Sequence, residues 1–234
     1  HQVMATKHSV LDALASAGFD SKQLKQSAAR KVVWSRDASH FQIQPCSTLR
    51  AKNVTEVSKI LAAATATQTP VTFRSGGSSL SGQTLGRGLV VDTRSGFQKI
   101  LEIEEGSIKA EPGVTLSRLN GHLLKHEQKV GPDPASLVAS TLGGAVSNNS
   151  SGMTCGVEFN SYATITSAEI VFADGQVFNT DQPNGEAVLR SIKPELVSVL
   201  EQKRDQIRTN EASVKKIRQL FSLKNTMGYS LNAF

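Results

Sequence analysis

Long apolar runs, cysteine and aromatic residues are all scarce in this sequence, and each scarcity excludes a class of protein. No apolar run approaches the roughly 20 residues that a membrane-spanning helix needs, and no signal-like segment opens the chain, which predicts a cytoplasmic protein. The two cysteines, Cys46 and Cys155, do not suggest a disulfide scaffold or a zinc site. Aromatic residues make up 5% of the chain, so its net charge of +6 indicates solvated helix faces rather than a nucleic-acid surface.

Glycine and serine, by contrast, are concentrated in one short stretch at residues 74–82, directly after Pro70–Phe73. Pro70–Phe73 predicts a short buried strand, and the small residues after it predict a turn whose backbone N–H groups can converge on one anion. Arg74 can add a charge-assisted donor. Neither the Gly-Lys-Ser/Thr of a P-loop nor the dinucleotide G-x-G-x-x-G is present. The stretch predicts a pyrophosphate cradle, with an ordinary Gly/Ser hairpin loop as the alternative.

A second unusual stretch covers residues 140–156, where four glycines stand among serine, threonine, alanine and asparagine. This composition is poor for a hydrophobic core, but it allows the backbone to approach a flat ligand closely and to surround it with short donors. A long surface loop is the alternative. We expect the stretch to line a cofactor, because a structureless loop of this length in a compact domain usually has a functional reason.

The rest of the chain alternates helix and strand signals, which predicts an α+β protein. Asn53 or Thr55 is placed to cap a helix that ends near Thr67, so residues 43–75 have strand–helix–strand order. Asp174-Gly175 is a two-residue hairpin signal. The remaining signals are helices within 8–29 and at 115–126, 194–207 and 213–220, strands at 89–92 and 162–172, and a hairpin at 97–111.

Other reactive side chains form no recognisable catalytic group. His122 and His126 have the spacing of metal ligands on a helix, but no third ligand is near in sequence, so surface or packing roles are favoured. Cys155 is interpreted as a small residue against the ligand, with a reactive thiol as the alternative, and Asp133 as a turn residue or a base. The residues alone therefore predict a domain that grips a flat, phosphate-bearing cofactor, and they leave flavin, nicotinamide and nucleotide open.

Seven segments occur in an order that is more specific than any one of them: 70–82, 111–114, 130–136, 142–156, 160–162, 172–175 and 224–232. In this order they resemble the FAD-linked oxidase superfamily, with its PCMH-type or vanillyl-alcohol-oxidase fold. Within it they are most similar to the D-lactate and 2-hydroxyacid dehydrogenases that carry flavin and iron–sulfur clusters. The resemblance covers roughly residues 37–234.

The resemblance implies an α+β, PCMH-type FAD-binding fold of two α/β subdomains. One is a small strand–helix–strand subdomain, and the other is a larger mixed or antiparallel sheet with flanking helices. The implied division is an N-terminal helical arm at 1–36, an FAD-binding domain at 37–192 with its subdomains at 37–95 and 96–192, and a helical segment at 193–234 that leads to an absent cap domain.

The resemblance also implies a set of cofactor-binding residues. Arg74, Ser75, Gly76, Gly77, Ser78, Ser79 and Leu80 would wrap the FAD pyrophosphate, with Ser81 and Gly82 closing the loop. Pro112, Gly113 and Val114 would lie near the adenine and ribose, and Pro132, Asp133 and Pro134 at the flavin edge. Thr141, Gly143, Gly144, Ser147, Asn149, Ser150, Gly152 and Gly156 would follow the isoalloxazine and ribityl chain, and Ile170 and Val171 would meet the adenine.

Two departures from the family pattern qualify this picture. Ser78 stands where some relatives attach flavin covalently through a histidine, so non-covalent FAD is expected. Relatives also continue beyond the segment at 224–232 into a further flavin contact, a substrate-binding cap and cysteine-rich cluster motifs. The chain therefore resembles a truncated FAD domain, with iron–sulfur clusters only in the missing part, no metal site of its own and no catalytic base that we can name.

The implied function is the FAD-binding portion of an oxidoreductase that oxidises a 2-hydroxyacid such as D-lactate or glycolate by hydride transfer to flavin. Electrons would pass to iron–sulfur clusters, a quinone or another acceptor. No nucleic-acid partner is expected, and the location is cytoplasmic, with peripheral association on the cytoplasmic side of the inner membrane as a variant. The alternatives are an NADPH-dependent flavin reductase on the same fold, of the cell-wall precursor type, and a non-catalytic nucleotide- or nucleic-acid-binding module.

Overall fold

The chain alternates short strands and helices in a computed structural model that describes residues 7–154, 156–225 and 230–234. This mixture of helix and strand confirms the predicted α+β class. The strands are β1 (Ser47–Arg50), β2 (Val71–Arg74), β3 (Leu89–Asp92), β4 (Ile100–Glu104), β5 (Ser107–Ala110), β6 (Glu169–Val171) and β7 (Val177–Asn179). The helices are α1 (Lys7–Ser16), α2 (Ser21–Leu24), α3 (Ala28–Val33), α4 (Val54–Ala66), α5 (Leu116–Leu123), α6 (Leu142–Ser147), α7 (Ser161–Thr164), α8 (Gly185–Ile192), α9 (Pro194–Arg208) and α10 (Glu211–Leu220).

The chain divides into two compact units, and neither unit is continuous in sequence. Unit 1 comprises His1–Gln128, Ser136–Gly144 and Val171–Val177, and unit 2 comprises Lys129–Ala135, Ala145–Ile170 and Phe178–Phe234. The glycine-rich stretch at 140–156 is therefore shared, with its first five residues in unit 1 and the remainder in unit 2.

A three-stranded parallel sheet, in the order β1-β3-β2, forms the centre of unit 1. Every residue of β3 is buried, because β3 lies between the other two strands. Helix α4 connects β1 to β2, which confirms the predicted strand–helix–strand order, and Asn53 caps it by accepting a hydrogen bond from Glu56 N (2.9 Å). The core of the unit joins α1, α4 and the sheet through Val10, Leu14, Leu49, Ile60, Leu89 and Val91.

Strand β2 is less buried than Pro70–Phe73 predicts. None of its four residues is fully buried, and Phe73 is 40% exposed. The reason is its position at the edge of the sheet, where only β3 covers its backbone on one side. The strand therefore delivers Arg74 and the loop after it to the surface of unit 1.

An antiparallel hairpin and a capped helix complete the described framework of unit 1. Strands β4 and β5 pair with Glu104 opposite Ser107, and Gly106 has a positive φ of 81°, as the predicted hairpin requires. Helix α5 begins after Thr115, whose side chain accepts from Arg118 N (3.3 Å). A 3-10 turn at Leu124–His126 follows, so the helix predicted for 115–126 is confirmed.

The long strand predicted for 162–172 is wrong for most of its length. The chain instead forms helix α7, and only Glu169–Val171 pair as a strand. Local capping explains the helix, because Asn160 Oδ1 accepts from Ala163 N (2.9 Å) and outweighs the strand preference of the aromatic and β-branched residues after it. The Asp174-Gly175 turn is confirmed, with Gly175 N donating to Phe172 O (2.8 Å).

Helices α9 and α10 confirm the two helices predicted near the C-terminal end, and α8 was missed. Asn210 caps α10 by accepting from Ser213 N (2.9 Å). Arg190 of α8 pairs with Glu186 of the same helix and with Glu201 of α9. Among the described helices, none has both the length and the apolar character that crossing a bilayer requires.

Candidate functional site

The loop after β2 presents a series of unused backbone donors. None of the five N–H groups from Gly76 to Leu80 donates a hydrogen bond within the described residues. Gly77 has a left-handed backbone conformation, with φ at +66°. A left-handed residue in a loop can turn successive N–H groups toward one side. Backbone N–H groups that are shielded from water rarely remain without partners, and Gly76 to Ser79 are half-buried. The loop is thus suited to bind an anion.

Part of the second glycine-rich stretch lies against this loop within unit 1. Thr141 Oγ1 donates to Ser75 Oγ (2.8 Å), and Thr141 is 1% exposed. A Cβ on Gly76 would lie 2.1 Å from the carbonyl oxygen of Ala139, so only glycine permits this approach. The structure therefore brings together two segments that are more than sixty residues apart in sequence.

Backbone hydrogen bonds hold Thr141 and its neighbours in place. Leu142 N donates to Val114 O (2.8 Å), and Gly143 N donates to Pro112 O (2.9 Å). Thr141 Oγ1 also accepts from Gly144 N (3.3 Å), at the start of α6. This helix was not predicted, because two adjacent glycines disfavour helix and the bonds that support it come from distant residues.

The predicted Pro112–Val114 segment is also closely packed. A Cβ on Gly143 would lie 2.5 Å from the Pro112 Cβ, and one on Gly113 would lie 2.4 Å from Phe97 O. Val114 is fully buried, so its side chain belongs to the core of unit 1. Only backbone atoms of Gly113 and Val114 are therefore suited to face a ligand.

Arg74 brings a positive charge to the beginning of the loop. Its Nη1 donates to Thr84 Oγ1 (3.2 Å), and a Cβ on Gly77 would lie 2.4 Å from its Nη2. Burial lowers the pKa of Arg74, and the charges of Asp37 and Asp92 oppose that effect. The guanidinium remains protonated at neutral pH because its ordinary pKa is very high.

Asp37 supports this arrangement from outside the loop. Its Oδ2 accepts from Thr84 Oγ1 (3.0 Å), and its Oδ1 accepts from Ser39 N (2.9 Å). Partial burial raises the pKa of Asp37, but the hydrogen bonds from Ser39 and Thr84 and the charge of Arg74 outweigh burial and lower it. Asp37 and Thr84 were missed from the sequence, since neither belongs to a motif and only the fold brings them to Arg74.

The end of the loop is fixed by its own side chains. Ser79 Oγ accepts from Ser81 N (3.2 Å) and from Gln83 N (3.2 Å), and it also pairs with the Gln83 side chain. Gly82 has a φ of +76°, and a Cβ there would lie 3.0 Å from the Phe41 ring. Leu80 is 78% exposed, and Ser78 is half-buried.

In unit 2, Asp133 and Gly152 are the predicted site residues in closest contact. Asp133 N donates to Ser151 O (2.8 Å), and Asp133 forms an isolated bridge with Gly152. The Thr154 hydroxyl bonds Asp133 Oδ2 and lowers the pKa of this carboxyl, an effect that desolvation opposes and the charge of Lys129 assists. Asp133 Oδ1 is buried and has no hydrogen-bond partner among the described residues.

Asn149 and Ser150 are part of the internal bonding of unit 2. The Asn149 amide accepts from Tyr162 N (2.9 Å) and donates to Ser230 Oγ (2.7 Å), with φ at +48°. Ser150 Oγ donates to Asn148 Oδ1 (2.6 Å). The carbonyl oxygen of Ser150 accepts from Ser161 N (2.9 Å). The side chain of Asn149 therefore already orders the stretch that the sequence assigns to a ligand.

The other predicted residues have less distinctive surroundings. Gly156 has a φ of +55°, Pro132 is buried, and Pro134 is half-buried. Ser147 ends α6 on the exposed side, Ile170 is 39% exposed, and Val171 is half-buried at the end of β6. Cys155 and the part of the 224–232 segment at 226–229 lie outside the described residues.

Neither histidine of the spaced pair belongs to a metal site in the described part of the chain. His122 and His126 are both exposed. No group of three or more potential metal ligands occurs among the described residues. The open N–H groups at Gly76–Leu80 and the fixed guanidinium beside them are suited to bind an anion.

The fold and the open loop define the class of protein. Five open N–H groups, a positive-φ glycine and a guanidinium are suited to the diphosphate of FAD. A solved alkyldihydroxyacetonephosphate synthase is similar over 76% of this chain and 35% of its own, with a TM-score of 0.62 and 20% sequence identity. At that identity the likeness establishes the fold alone. The architecture is the PCMH-type FAD-binding fold.

The chain belongs to the FAD binding domain family, whose model matches residues 45–181. It is 30% identical over 160 residues to the glycolate oxidase subunit GlcD of Bacillus subtilis, across 66% of this chain and 34% of that protein. It is 31% identical over 147 residues to a D-2-hydroxyglutarate dehydrogenase of Pseudomonas putida, across 61% and 14% of the two chains. The chain thus spans about a third or less of the length of these relatives.

Proposed function

We propose that this chain is the FAD-binding part of a flavin-dependent oxidoreductase that oxidises a 2-hydroxyacid such as glycolate or D-lactate. The observation that carries the proposal is the row of five open N–H groups from Gly76 to Leu80, in a chain of the FAD binding domain family. The names of the relatives, a glycolate oxidase subunit and a 2-hydroxyglutarate dehydrogenase, support the substrate class.

The proposed domain covers residues 37–192, and its residues bind and orient the cofactor without a covalent bond. Gly76–Leu80 would donate backbone hydrogen bonds to the diphosphate, with Arg74 supplying positive charge and Ser75 held in place by Thr141. The remaining proposed contacts are those implied by the family resemblance: Gly82, Pro112, Gly113, Val114, Pro132, Asp133, Pro134, Thr141, Gly143, Gly144, Ser147, Asn149, Ser150, Gly152, Gly156, Ile170 and Val171.

When bound, the flavin would supply the redox chemistry by accepting a hydride from the carbon that carries the substrate hydroxyl, while the hydroxyl proton would pass to a base. The chain contributes binding and position. Electrons are proposed to leave to an iron–sulfur cluster, a quinone or another acceptor in the protein that contains this domain.

A charge placed in the loop tests the proposal directly. FAD binding by the unsubstituted chain is measured by flavin absorbance and fluorescence, and compared with Leu80→Asp. A carboxylate beside the open N–H groups repels the diphosphate, so we expect FAD affinity to fall about tenfold or more. Leu124→Asp is the matched control, because Leu124 is 75% exposed and Leu80 is 78% exposed, and both belong to unit 1.

Two results would contradict the proposal. Failure of the folded, unsubstituted chain to bind FAD would remove its basis, and equal losses in both leucine variants would show that the loop is not the diphosphate site. The substrate class is tested in the protein that contains this domain: anaerobic glycolate or D-lactate should bleach its flavin absorbance. Bleaching by NADPH alone would support the reductase alternative.

A further inference from the structure

A chain of three side chains connects the start of the loop to a residue outside every motif. Arg74 Nη1 donates to Thr84 Oγ1 (3.2 Å), and the same hydroxyl donates to Asp37 Oδ2 (3.0 Å). The hydroxyl of threonine can accept one hydrogen bond and donate another, so the direction of both bonds is consistent. Asp37 is itself held by Ser39 N, which donates to its Oδ1 (2.9 Å).

The other arm of the guanidinium lies at the turn of the loop. A Cβ on Gly77 would lie 2.4 Å from Nη2 of Arg74 and 2.9 Å from Cζ, so the absent side chain provides the space that the guanidinium occupies. Gly77 is also the residue with a φ of +66°. The charge of Arg74 is thereby located beside the five open N–H groups.

An arginine with free rotamers would lose conformational entropy on binding an anion, and an anchored one loses less. On these contacts we propose that Asp37 and Thr84 are positioning residues that hold Arg74 against Gly77 and so set the loop's affinity for a diphosphate. The inference rests on the proposed function, because it assumes that the anion is the diphosphate of FAD. It assigns a binding role to two residues that lie outside the Gly/Ser-rich loop motif.

The experiment compares Thr84→Val with Thr84→Ser in the full chain. Valine has nearly the shape of threonine but removes the hydroxyl, whereas serine keeps it. We expect Thr84→Val to weaken FAD binding about tenfold and Thr84→Ser to leave it nearly unchanged, because a hydrogen bond to a charged group is lost only in the first. Inorganic pyrophosphate should compete with FAD correspondingly less well in Thr84→Val.

Asp37→Ala adds a second arm to the test. If the three side chains act as a unit, the double variant with Thr84→Val should lose no more affinity than the larger of the two single variants. Binding of riboflavin, which lacks the diphosphate, should be the same in all variants and in the unsubstituted chain. If Thr84 had a purely structural role, Thr84→Val would instead weaken the binding of FAD and of riboflavin equally.

The outcomes separate this inference from the proposed function. Equal FAD binding by Thr84→Val and Thr84→Ser, or a parallel loss of riboflavin binding, would overturn the inference and leave the proposed function intact. Absence of FAD binding by the unsubstituted chain would overturn both. Additive losses of FAD affinity in the double variant would show that Asp37 and Thr84 act separately. That result would contradict the proposed coupling of the three side chains.

Discussion

At the scale of single residues, close backbone approach decides the geometry of the site. Gly76 lets the loop meet Ala139, and Gly152 lets its strand-like segment meet Asp133. A Cβ added to either of these glycines would clash with a neighbouring residue. A Cβ added to a glycine in an open position, such as Gly121 of α5, would have no neighbour within 4 Å. The sequence alone does not distinguish the closely packed glycines from the open ones.

Alanine substitutions should reveal this difference in stability. A Cβ on Gly152 would lie 1.8 Å from Asp133 Oδ1, and its φ of +151° is strained for any other residue. We expect Gly152→Ala to reduce the free energy of unfolding by about 2 kcal/mol or more. Gly121→Ala, the matched control in a helix, should increase it by up to about 1 kcal/mol. Chemical denaturation measures both.

Similar unfolding free energies for these two alanine variants would contradict the contact between Gly152 and Asp133. The carboxyl of Asp133 is held through its other oxygen, Oδ2, which accepts from Thr154 N (3.3 Å) and from the Thr154 hydroxyl, so moving it away from a Cβ on Gly152 would disturb these bonds.

At the scale of elements, helix caps are the most local feature of the fold. Asn53 stands before α4 and accepts from Glu56 N (2.9 Å), and Glu56 Oε2 accepts from Lys52 N (2.8 Å). The buried side of α4 then packs Ile60 and Ala64 into the core of unit 1. The cap and the apolar spacing are both visible in sequence, which is why this helix was predicted with its first residue nearly correct.

Loss of the cap should weaken unit 1 by a predictable amount. We expect Asn53→Ala to lower the free energy of unfolding by about 1 kcal/mol, because it leaves the Glu56 N–H without its partner. Asn53→Ser retains a capping oxygen and should lie within a few tenths of a kcal/mol of the unsubstituted chain. Urea denaturation followed by circular dichroism compares the three proteins, and equal losses in both variants would argue against the cap.

Elements that depend on distant partners were predicted poorly. Helix α6 contains Gly143-Gly144, and its first residues are held by Val114 O and Pro112 O, which no local pattern indicates. The segment at 162–172 has the composition of a strand, yet Asn160 begins a helix there. The hairpin at Asp174-Gly175 was predicted correctly because its turn is contained in adjacent residues.

At the scale of the whole molecule, cofactor binding and folding should be linked. A ligand that binds only the folded chain stabilises it in proportion to the logarithm of its concentration. At an FAD concentration about 100 times its dissociation constant, we expect the free energy of unfolding to rise by about 2.7 kcal/mol. Thermal scans with and without FAD measure the shift.

The leucine variants extend this prediction. At the same FAD concentration, Leu80→Asp should show a gain of only about 1.4 kcal/mol, which corresponds to tenfold weaker binding, whereas Leu124→Asp should keep the full gain. A melting temperature that does not change with FAD in the unsubstituted chain would contradict the assignment of the loop as the cofactor site.

The sequence by itself determined the α+β class, the two glycine-rich stretches, the capped helix α4, and the order of motifs that resembles FAD-binding oxidases. These properties depend on neighbouring residues or on composition, so they can be recognised along the chain. The tertiary structure alone decided that Ser75 meets Thr141, that Gly76 lies on Ala139, and that Asp37 reaches Arg74 through Thr84. Such contacts join residues far apart in sequence, and the chain specifies them only when the parallel sheet and its connections bring those residues together.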